Sequence, residues 1–232
     1  ASRIPSILPP LTKEERIETA VIHSVAGLDP THVLAGVRPF RAPHHSISQA
    51  GLVGGGTPLR PGEISLAHHG VLFLDEMAEF SPAVLQSIRQ PLESGALTLT
   101  RAEGSVSFPS SFMLVAATNP CPCGNYGADD AVCTCTIPQI KRYQGRIGGP
   151  LLDRIDVHLE VGRMKAHSVM QSGSGTSSAT LHDEVMRGCE FRDWRQAQTG
   201  EQASRKSKAL IEACKLSEAD QAAFEAMAQR SK

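Results

Sequence analysis

The sequence is poor in aromatic residues, nearly balanced in charge and free of long apolar runs. Aromatic residues make up 4% of the 232 positions, so the core must consist mainly of Leu, Ile, Val, Ala and Met. Lys and Arg number 23 against 24 Asp and Glu, which excludes a global electrostatic attraction to nucleic acid and requires any such contact to be local. No run of about 18 apolar residues and no signal-peptide pattern occur, so we expect a cytoplasmic protein.

Two apolar runs that end in polar residues predict a parallel sheet. The run at 70–74 ends in Asp75 and Glu76, and the run at 112–117 is followed by Asn119. Buried parallel strands are often continuously apolar, and ligands bind beyond their carboxyl ends. A content of 41% hydrophobic residues is sufficient for a buried core. The two predicted strands therefore indicate an α/β fold with a doubly wound, buried parallel sheet.

Local signals predict two helices and a hairpin around these strands. Thr12 and Glu15 form a capping-box pattern, which predicts a helix at about 13–25. Apolar residues at helical spacing predict a second helix over 80–94. Alternating residues over 97–108, with a Glu-Gly pair between them, predict a β-hairpin.

Changes in composition predict the domain organisation. Residues 51–70 are rich in Gly, Pro and His and predict turns and short extended pieces inserted into a domain. The string QSGSGTSSAT at 171–180 is typical of a flexible linker, and the remainder is helical in tendency. We therefore expect a core domain at 1–165, a linker at 166–180 and an incomplete helical domain at 181–232.

The acidic pair that follows the first strand is the main candidate for chemistry. One of the Asp75 and Glu76 carboxylates can hold a hydrated Mg²⁺ while its neighbour orients a water for attack on a phosphoryl group. The alternative is that the pair consists of two solvated acids at the end of a strand. Four apolar residues followed by Asp-Glu also occur by chance, so the pattern alone does not establish a catalytic role.

Asn119 and Arg154 are two further candidates. The Asn119 amide both donates and accepts hydrogen bonds and could position the same water, although Asn before Pro is also common in turns. The Arg154 guanidinium could stabilise charge on a transferring phosphoryl group, often from a neighbouring subunit. An arginine near a strand start is more often an ion-pair partner, here of Asp153 or Asp156.

Four of the six cysteines lie within 15 positions of each other, and this cluster suggests a metal more than disulfides. Cys121 and Cys123 form one C-x-C pair, and Cys133 and Cys135 form another nine residues later. Four thiolates suit a structural, tetrahedral Zn²⁺, although paired ligands are usually separated by two or more residues. Free or oxidisable thiols remain the alternative.

Two histidine doublets, His44-His45 and His68-His69, also invite a metal interpretation. The sequence does not fix their distance, so polar loop histidines near phosphate or DNA, or hydrogen-bonded structural histidines, are the favoured alternatives.

Several strings of this sequence together are similar to one family, the magnesium-chelatase-like AAA+ ATPases represented by YifB and ComM. The similarity is strong over residues 1–161 and weak in the helical tail. It rests on RPFRAPHHSIS at 38–48, GGGTPLRPGEISLAHHGVLFLDEM at 54–77, RQPLESG at 89–95, NPCPCG at 119–124 and GPLLDRIDVHLEV at 149–161.

The resemblance implies a parallel-sheet AAA+ core with hairpin insertions and a helical lid domain, with ATP and Mg²⁺ as ligands. It implies that Asp75 and Glu76 are the Walker B pair, with Asp75 as the Mg²⁺ ligand, and that Asn119 is sensor 1. It also implies that Arg154 is an arginine finger that reaches the adjacent subunit of a homo-hexameric ring.

The resemblance also assigns two pore elements. The segment 51–67 is similar to the helix-2 insertion, and the hairpin at 97–108 is similar to the pre-sensor-1 hairpin. In ring-forming relatives these elements project toward the central channel, where Arg60 or Arg101 could meet a DNA strand.

The sequence departs from the family pattern at two functional positions. Family members carry a Gly-rich phosphate-binding loop before the segment that begins here at Ala1, and no G-x-x-x-x-G-K-[ST] motif occurs in this chain. The sensor 2 arginine of the lid would lie beyond Lys232. We therefore expect a fragment that binds ATP poorly and does not hydrolyse it alone, because the loop's N–H groups and Lys hold the phosphates.

Three hypotheses of function follow. The resemblance to ComM implies a DNA helicase or branch-migration motor that acts in natural transformation. A magnesium or cobalt chelatase motor subunit is the second hypothesis, but such subunits lack the NPCPCG cysteines. The third is a zinc-stapled interaction module without catalysis.

Overall fold

The computed structural model describes residues 2–101, 104–128, 131–162, 175–199, 217, 219–220 and 222–223. These residues belong to two compact units, 1–182 and 183–232. The first unit contains every residue of the predicted site. Most of the second unit lies outside the described residues.

The described elements alternate between helices and short strands. Short 3₁₀ turns cover Ile4–Ser6 and Met77–Glu79. The helices are α1 (Lys13–Val25), α2 (Thr31–Leu34), α3 (Gln49–Val53), α4 (Glu63–Leu66), α5 (Pro82–Ser94), α6 (Ile137–Gln144), α7 (Gly149–Leu152) and α8 (Ser178–Thr199). The strands are β1 (Phe40–Arg41), β2 (Gly54–Gly55), β3 (Arg60–Pro61), β4 (Val71–Leu74), β5 (Ala96–Arg101), β6 (Gly104–Pro109) and β7 (Met113–Ala116).

A three-stranded parallel sheet with the order β1-β4-β7 forms the centre of the first unit. Phe40 pairs with Val71 and Leu72 with Leu114, so the carboxyl ends of all three strands lie side by side. The predicted α/β fold with parallel strands is therefore confirmed, and β1 adds a strand that the sequence did not reveal.

Strand β7 is more exposed than predicted. The apolar run at 112–117 predicts a buried strand, but Met113 and Ala116 are exposed and the two residues between them are half-buried. The physical reason is position, because within the described chain β7 pairs on one side with β4 and forms the edge of the sheet. Burial on both faces is confirmed for β4, where Val71, Leu72 and Leu74 are fully buried.

Local sequence signals place the ends of α1 and α5 where the sequence predicts them. The Thr12 hydroxyl accepts a hydrogen bond from the Glu15 N–H at 3.2 Å, and a Glu15 carboxylate oxygen accepts one from the Thr12 N–H at 2.9 Å. Ser81 caps α5, and Gly95 ends it with φ at +66°, a conformation that glycine adopts without a Cβ clash.

The predicted hairpin is present as the antiparallel pair β5 and β6. Leu97 and Phe108 are opposite each other in this pair, and both are buried. Residues 104–107 of β6 are exposed, so the hairpin is anchored at its base and its outer part extends into solvent.

The segment 51–70 contributes to the core and is not merely an inserted set of loops. Its two short helices bury Leu52 and Ile64 completely, in the same cluster as Val84, Leu85 and Ile88 of α5. Turns and short extended pieces are present as β2 and β3, but α3 and α4 on either side of them are helical. The Gly-rich composition of the segment gives no indication that these few apolar side chains are buried. They pack in the core because α3 lies against α5.

Helix α8 begins at Ser178, three residues before the predicted helical domain. The Ser177 hydroxyl accepts a hydrogen bond from the Thr180 N–H at 3.1 Å, which satisfies a free donor of the first turn. Of the predicted linker at 166–180, residues 166–174 lie outside the described part of the chain. Among the described residues, none of the helices is both long enough and apolar enough to cross a membrane.

Candidate functional site

The acidic pair lies at the carboxyl end of β4, at the edge where ligands bind in open parallel sheets. The Glu76 N–H donates to Asp75 Oδ1 at 3.0 Å. Glu76 has a left-handed backbone conformation with φ of +50°, which is uncommon for a residue with a Cβ. This turn brings both carboxylates to the surface, since Asp75 and Glu76 are exposed.

The structure brings Asn119 to the same place. A cleft of about 80 Å³ is lined by Asp75, Glu76 and Asn119 together with Ala117 and Thr118. Two backbone hydrogen bonds hold the two strand ends together: the Ala117 N–H donates to the Leu74 carbonyl at 2.9 Å, and the Met77 N–H donates to the Ala117 carbonyl at 2.8 Å. Three of the four residues predicted for phosphoryl-transfer chemistry therefore line one cleft.

His45, which the sequence offered only as part of a histidine doublet, lies near this cleft. Its Nδ1 lies 3.5 Å from Glu76 Oε2, and its ring meets Phe80 edge-on with centroids 6.4 Å apart. The feature that places His45 near the cleft is its position shortly after β1, because the carboxyl end of β1 lies beside that of β4. The sequence could not reveal this, because β1 has only two residues.

Arg154 does not line this cleft, so the structure separates it from the other predicted site residues. Its guanidinium pairs with the Glu93 carboxylate and also donates to the Pro150 carbonyl. The suggested partners Asp153 and Asp156 are wrong for this arginine. Arg154 follows helix α7, not a strand start, and α7 packs against α5, which carries Glu93.

The cleft offers the donors that a hydrated Mg²⁺ prefers. Carboxylate oxygens are hard ligands, and Mg²⁺ is usually bound by one or two of them while it keeps several waters and substrate phosphate oxygens. The open, polar site with two adjacent carboxylates fits such an ion. The Asn119 amide, on the neighbouring strand, fits the positioning of a water or a phosphate oxygen.

The four clustered cysteines come together in space after Asn119. The Sγ atoms of Cys121, Cys123 and Cys133 are separated by 3.4, 3.6 and 3.8 Å, and all four Sγ atoms, with that of Cys135, lie within 4.8 Å of one another. All four cysteines are free.

The backbone around the cysteines favours a thiolate at one of them. Backbone hydrogen bonds from Asn125 and Thr134 lower the pKa of the Cys123 thiol to about 5. At Cys135 a backbone hydrogen bond from Cys123 acts in the same direction, but burial and the neighbouring thiols outweigh it and raise the pKa to about 12. Sulfurs this close cannot all ionise unless a cation balances their charge.

The second histidine doublet forms a hydrogen-bonded cluster with Glu18. Glu18 Oε2 lies 2.9 Å from His69 Nε2 and 3.4 Å from His68 Nε2. The Ser111 N–H donates to His68 Nδ1 at 3.0 Å, so that nitrogen is an acceptor and Nε2 carries the proton. A metal-binding histidine instead donates its second N–H to an acceptor. His68 therefore fits a structural role, and desolvation by burial lowers its pKa.

A larger cleft of about 440 Å³ shares no lining residue with the acidic site. It is lined mainly by the segment from Leu28 to Arg41. Arg38 on its wall is already engaged, because its guanidinium donates to the carbonyls of Pro9 and His69 and pairs with Glu15. Size alone therefore does not make this cleft the better candidate.

The chain is similar to known proteins of one family. The family described as magnesium chelatase, subunit ChlI, matches residues 1–169. A protein named YifB from Salmonella typhimurium is 44% identical over 197 residues, 84% of this chain and 38% of the relative. The competence protein ComM of Haemophilus influenzae is 44% identical over 222 residues, 95% of this chain and 43% of the relative. Escherichia coli YifB is 44% identical over 197 residues, 84% of this chain and 38% of the relative.

The chain thus spans about two fifths of the length of these curated relatives. The family match covers the parallel sheet, the acidic pair, Asn119 and the cysteine cluster together. The chain belongs to the magnesium-chelatase-like AAA+ family that includes YifB and ComM.

Proposed function

We propose that the protein carrying this chain is an ATP-hydrolysing AAA+ motor that acts on DNA as a helicase or branch-migration protein. The observation that carries the proposal is the convergence of Asp75, Glu76 and Asn119 on one cleft at the carboxyl edge of a parallel sheet. Phosphoryl transfer depends mainly on positioning and charge stabilisation, and these three groups supply both.

Each group has a role in this proposal. Asp75 holds Mg²⁺, whose charge stabilises the phosphate oxygens of ATP. Glu76 orients and deprotonates the attacking water, which its exposed carboxylate can reach in the cleft. Asn119 holds that water or a γ-phosphate oxygen through its amide. Within these 232 residues no G-x-x-x-x-G-K-[ST] motif occurs, so we propose that they do not turn over ATP by themselves.

The motor is proposed to be a cytoplasmic homo-hexameric ring in which Arg154 acts on the ATP of the adjacent subunit. Its absence from the lining of its own chain's cleft is consistent with action in trans. In this chain the guanidinium is held by Glu93, and it would exchange that partner for phosphate oxygens at a subunit interface. Zn²⁺ belongs to the proposal as a structural ion of the cysteine cluster.

DNA contact is proposed through the two hairpins. Arg60 is exposed on β3, and the outer residues of β6 are exposed as well. Arg101 ends β5 and stands at the outer end of the longer hairpin. Because the net charge is −1, binding of DNA phosphates would depend on such local cations. The name of the Haemophilus relative, a competence protein, agrees with a role in DNA handling.

A chelatase motor subunit is the second candidate, because the matching family is described as magnesium chelatase subunit ChlI. Such a subunit would use the same ATP site but would drive insertion of Mg²⁺ or Co²⁺ into a tetrapyrrole with partner subunits. The two candidates differ in what stimulates hydrolysis.

ATP hydrolysis by the full-length protein, with and without DNA, tests the proposal. We expect DNA to stimulate turnover and salt to weaken that stimulation, because phosphate contacts release counterions. The substitution Glu76→Gln should lower kcat by about 10²–10⁴-fold, the usual contribution of a general base.

Glu79→Gln is the matched control, since Glu79 lies three residues away and pairs with Arg146 at 3.0 Å. It should leave kcat within about twofold, because an exposed ion pair contributes at most about 1 kcal/mol to stability and Glu79 does not line the cleft. Stimulation only by a porphyrin-binding partner would support the chelatase. No turnover under any condition would support a non-catalytic, zinc-stapled interaction module.

A further inference from the structure

The loop between β7 and α6 has almost no apolar core of its own. Of its described residues 121–128 and 131–135, Cys121 alone is buried, and Val132 is 85% exposed. Hydrophobic burial therefore cannot hold this loop in one conformation. Instead, the loop carries four cysteines whose Sγ atoms lie close together.

The sulfur positions match one tetrahedral ion. Zinc–sulfur bonds of about 2.3 Å place the sulfurs of a tetrahedron about 3.8 Å apart. The observed separations of 3.4, 3.6 and 3.8 Å among Cys121, Cys123 and Cys133 are close to that value, and no two of the four Sγ atoms are more than 4.8 Å apart.

The same distances disfavour a pair of disulfides. A disulfide needs sulfurs about 2.05 Å apart, and the three sulfurs are nearly equidistant, so none has a preferred partner. The Tyr126 N–H points at Cys121 Sγ from 3.4 Å, a donor that stabilises a thiolate ligand.

The cysteine loop passes close to Asn119. Gly124, which has φ of +75°, lies near the Asn119 side chain: a Cβ built on Gly124 would be 4.0 Å from the Asn119 amide oxygen and its carbon. At the other end of the loop, Thr136 caps α6, and Gln144 at the end of α6 donates to the Pro120 carbonyl at 3.0 Å. The C-terminal end of α6 thus lies beside Pro120, where the loop begins.

We infer that Cys121, Cys123, Cys133 and Cys135 bind one structural Zn²⁺ and that this ion holds the Gly124 turn against Asn119, which sets the position of the Asn119 amide in the acidic cleft. Four thiolate ligands leave no open coordination position, so the ion supports the site and does not itself activate water. The metal site stands on the sulfur geometry alone, whereas the effect on catalysis rests on the proposed ATPase function.

Metal content of the full-length protein, purified with a reductant and without chelators, tests the ion itself. Elemental analysis should give about one zinc per chain, and Cys123→Ser and Cys133→Ser should lose most of it. Cys189→Ser is the matched control, because Cys189 is a free cysteine of α8. Absence of metal, iron in place of zinc, two or more ions per chain, or an equal loss in Cys189→Ser would overturn the inference.

Replacement of zinc by Co²⁺ in the wild-type protein avoids the chance that a serine variant fails to fold. A four-thiolate site should then show the intense sulfur-to-cobalt absorption and visible bands of tetrahedral cobalt. A spectrum of octahedral cobalt would count against the four-sulfur site.

Hydrogen exchange after removal of the ion by a chelator tests the positioning role, and it does not require any ATPase activity. Exchange should accelerate at residues 118–128 and stay unchanged in β4. If zinc is present but its removal leaves exchange at 118–119 unaltered, the positioning part is wrong. If the protein hydrolyses ATP, zinc removal should lower kcat by about tenfold or more with little change in KM, as expected for an interaction made in the transition state.

Discussion

Replacement of Ile64 by Ala should destabilise the chain by about 3 kcal/mol. Ile64 is fully buried on α4 and belongs to the same cluster as Leu52 and Val84. The substitution removes three carbon groups at about 0.8 kcal/mol each, roughly 2.4 kcal/mol, and the remaining cavity adds to this within the observed range of about 2–5 kcal/mol. The composition of 51–70 alone would predict almost no effect, because turns on a surface insertion tolerate truncation.

Equilibrium urea unfolding, followed by far-ultraviolet circular dichroism, measures this difference. Ile17→Ala is the matched control, since Ile17 lies on α1 and is 55% exposed. It should change the free energy of unfolding by no more than about 0.5 kcal/mol. The comparison is valid if both variants unfold with the slope of the parent chain.

A loss of less than about 1 kcal/mol in Ile64→Ala, or a loss equal to that of Ile17→Ala, would refute the reasoning. It would mean that α4 is not part of the core and that the segment behaves as the insertion its composition suggests. In a melting experiment the expected loss corresponds to a midpoint lower by roughly 6–12 °C, for a unit of this size.

Three further predictions concern the site and its surroundings. Burial lowers the folded-state pKa of His68, so the unfolded state binds more protons and the free energy of unfolding should fall as the pH drops below about 6.5. The urea midpoint should therefore fall less on acidification in His68→Asn than in the parent chain. An equal fall in both would count against a role of His68 in this pH dependence. Arg154→Ala subunits and Glu76→Gln subunits should each be inactive alone and should recover ATP turnover when they are mixed. At one kind of mixed interface, an intact Arg154 from one subunit then meets an intact Glu76 from the other. No recovery would argue against action in trans. His45→Ala should lower kcat while it lowers the melting temperature by no more than about 4 °C, since its half-exposed contact to Glu76 contributes at most about 1 kcal/mol to stability. An unchanged kcat would remove His45 from the site.

The helices and strands that the sequence predicted well are those with strong local signals. The capping box at Thr12 and the Ser81 cap of α5 each satisfy backbone groups within a few residues. Such signals act before any tertiary contact forms, so one sequence suffices to read them.

Elements whose stability comes from distant neighbours were missed or misjudged. Strand β1 has two residues and exists because it pairs with β4. The exposure of β7 follows from its edge position, and the burial of Ile64 follows from its packing near α5. Periodicity cannot report these contacts, because the partners are separated by tens of residues.

The candidate site shows the same division. By itself, the sequence determined the chemistry that is available: an acidic pair after an apolar strand, an Asn after the next strand, and four clustered cysteines. Only the tertiary structure decided which groups meet, because parallel pairing aligns the strand ends and so brings Asn119 to Asp75 and His45 to Glu76. The conformation of the loop between β7 and α6 brings the four sulfurs within reach of one ion. The tertiary structure also determines that Arg154 pairs with Glu93, because α7 packs on α5 and so brings the Arg154 side chain close to Glu93.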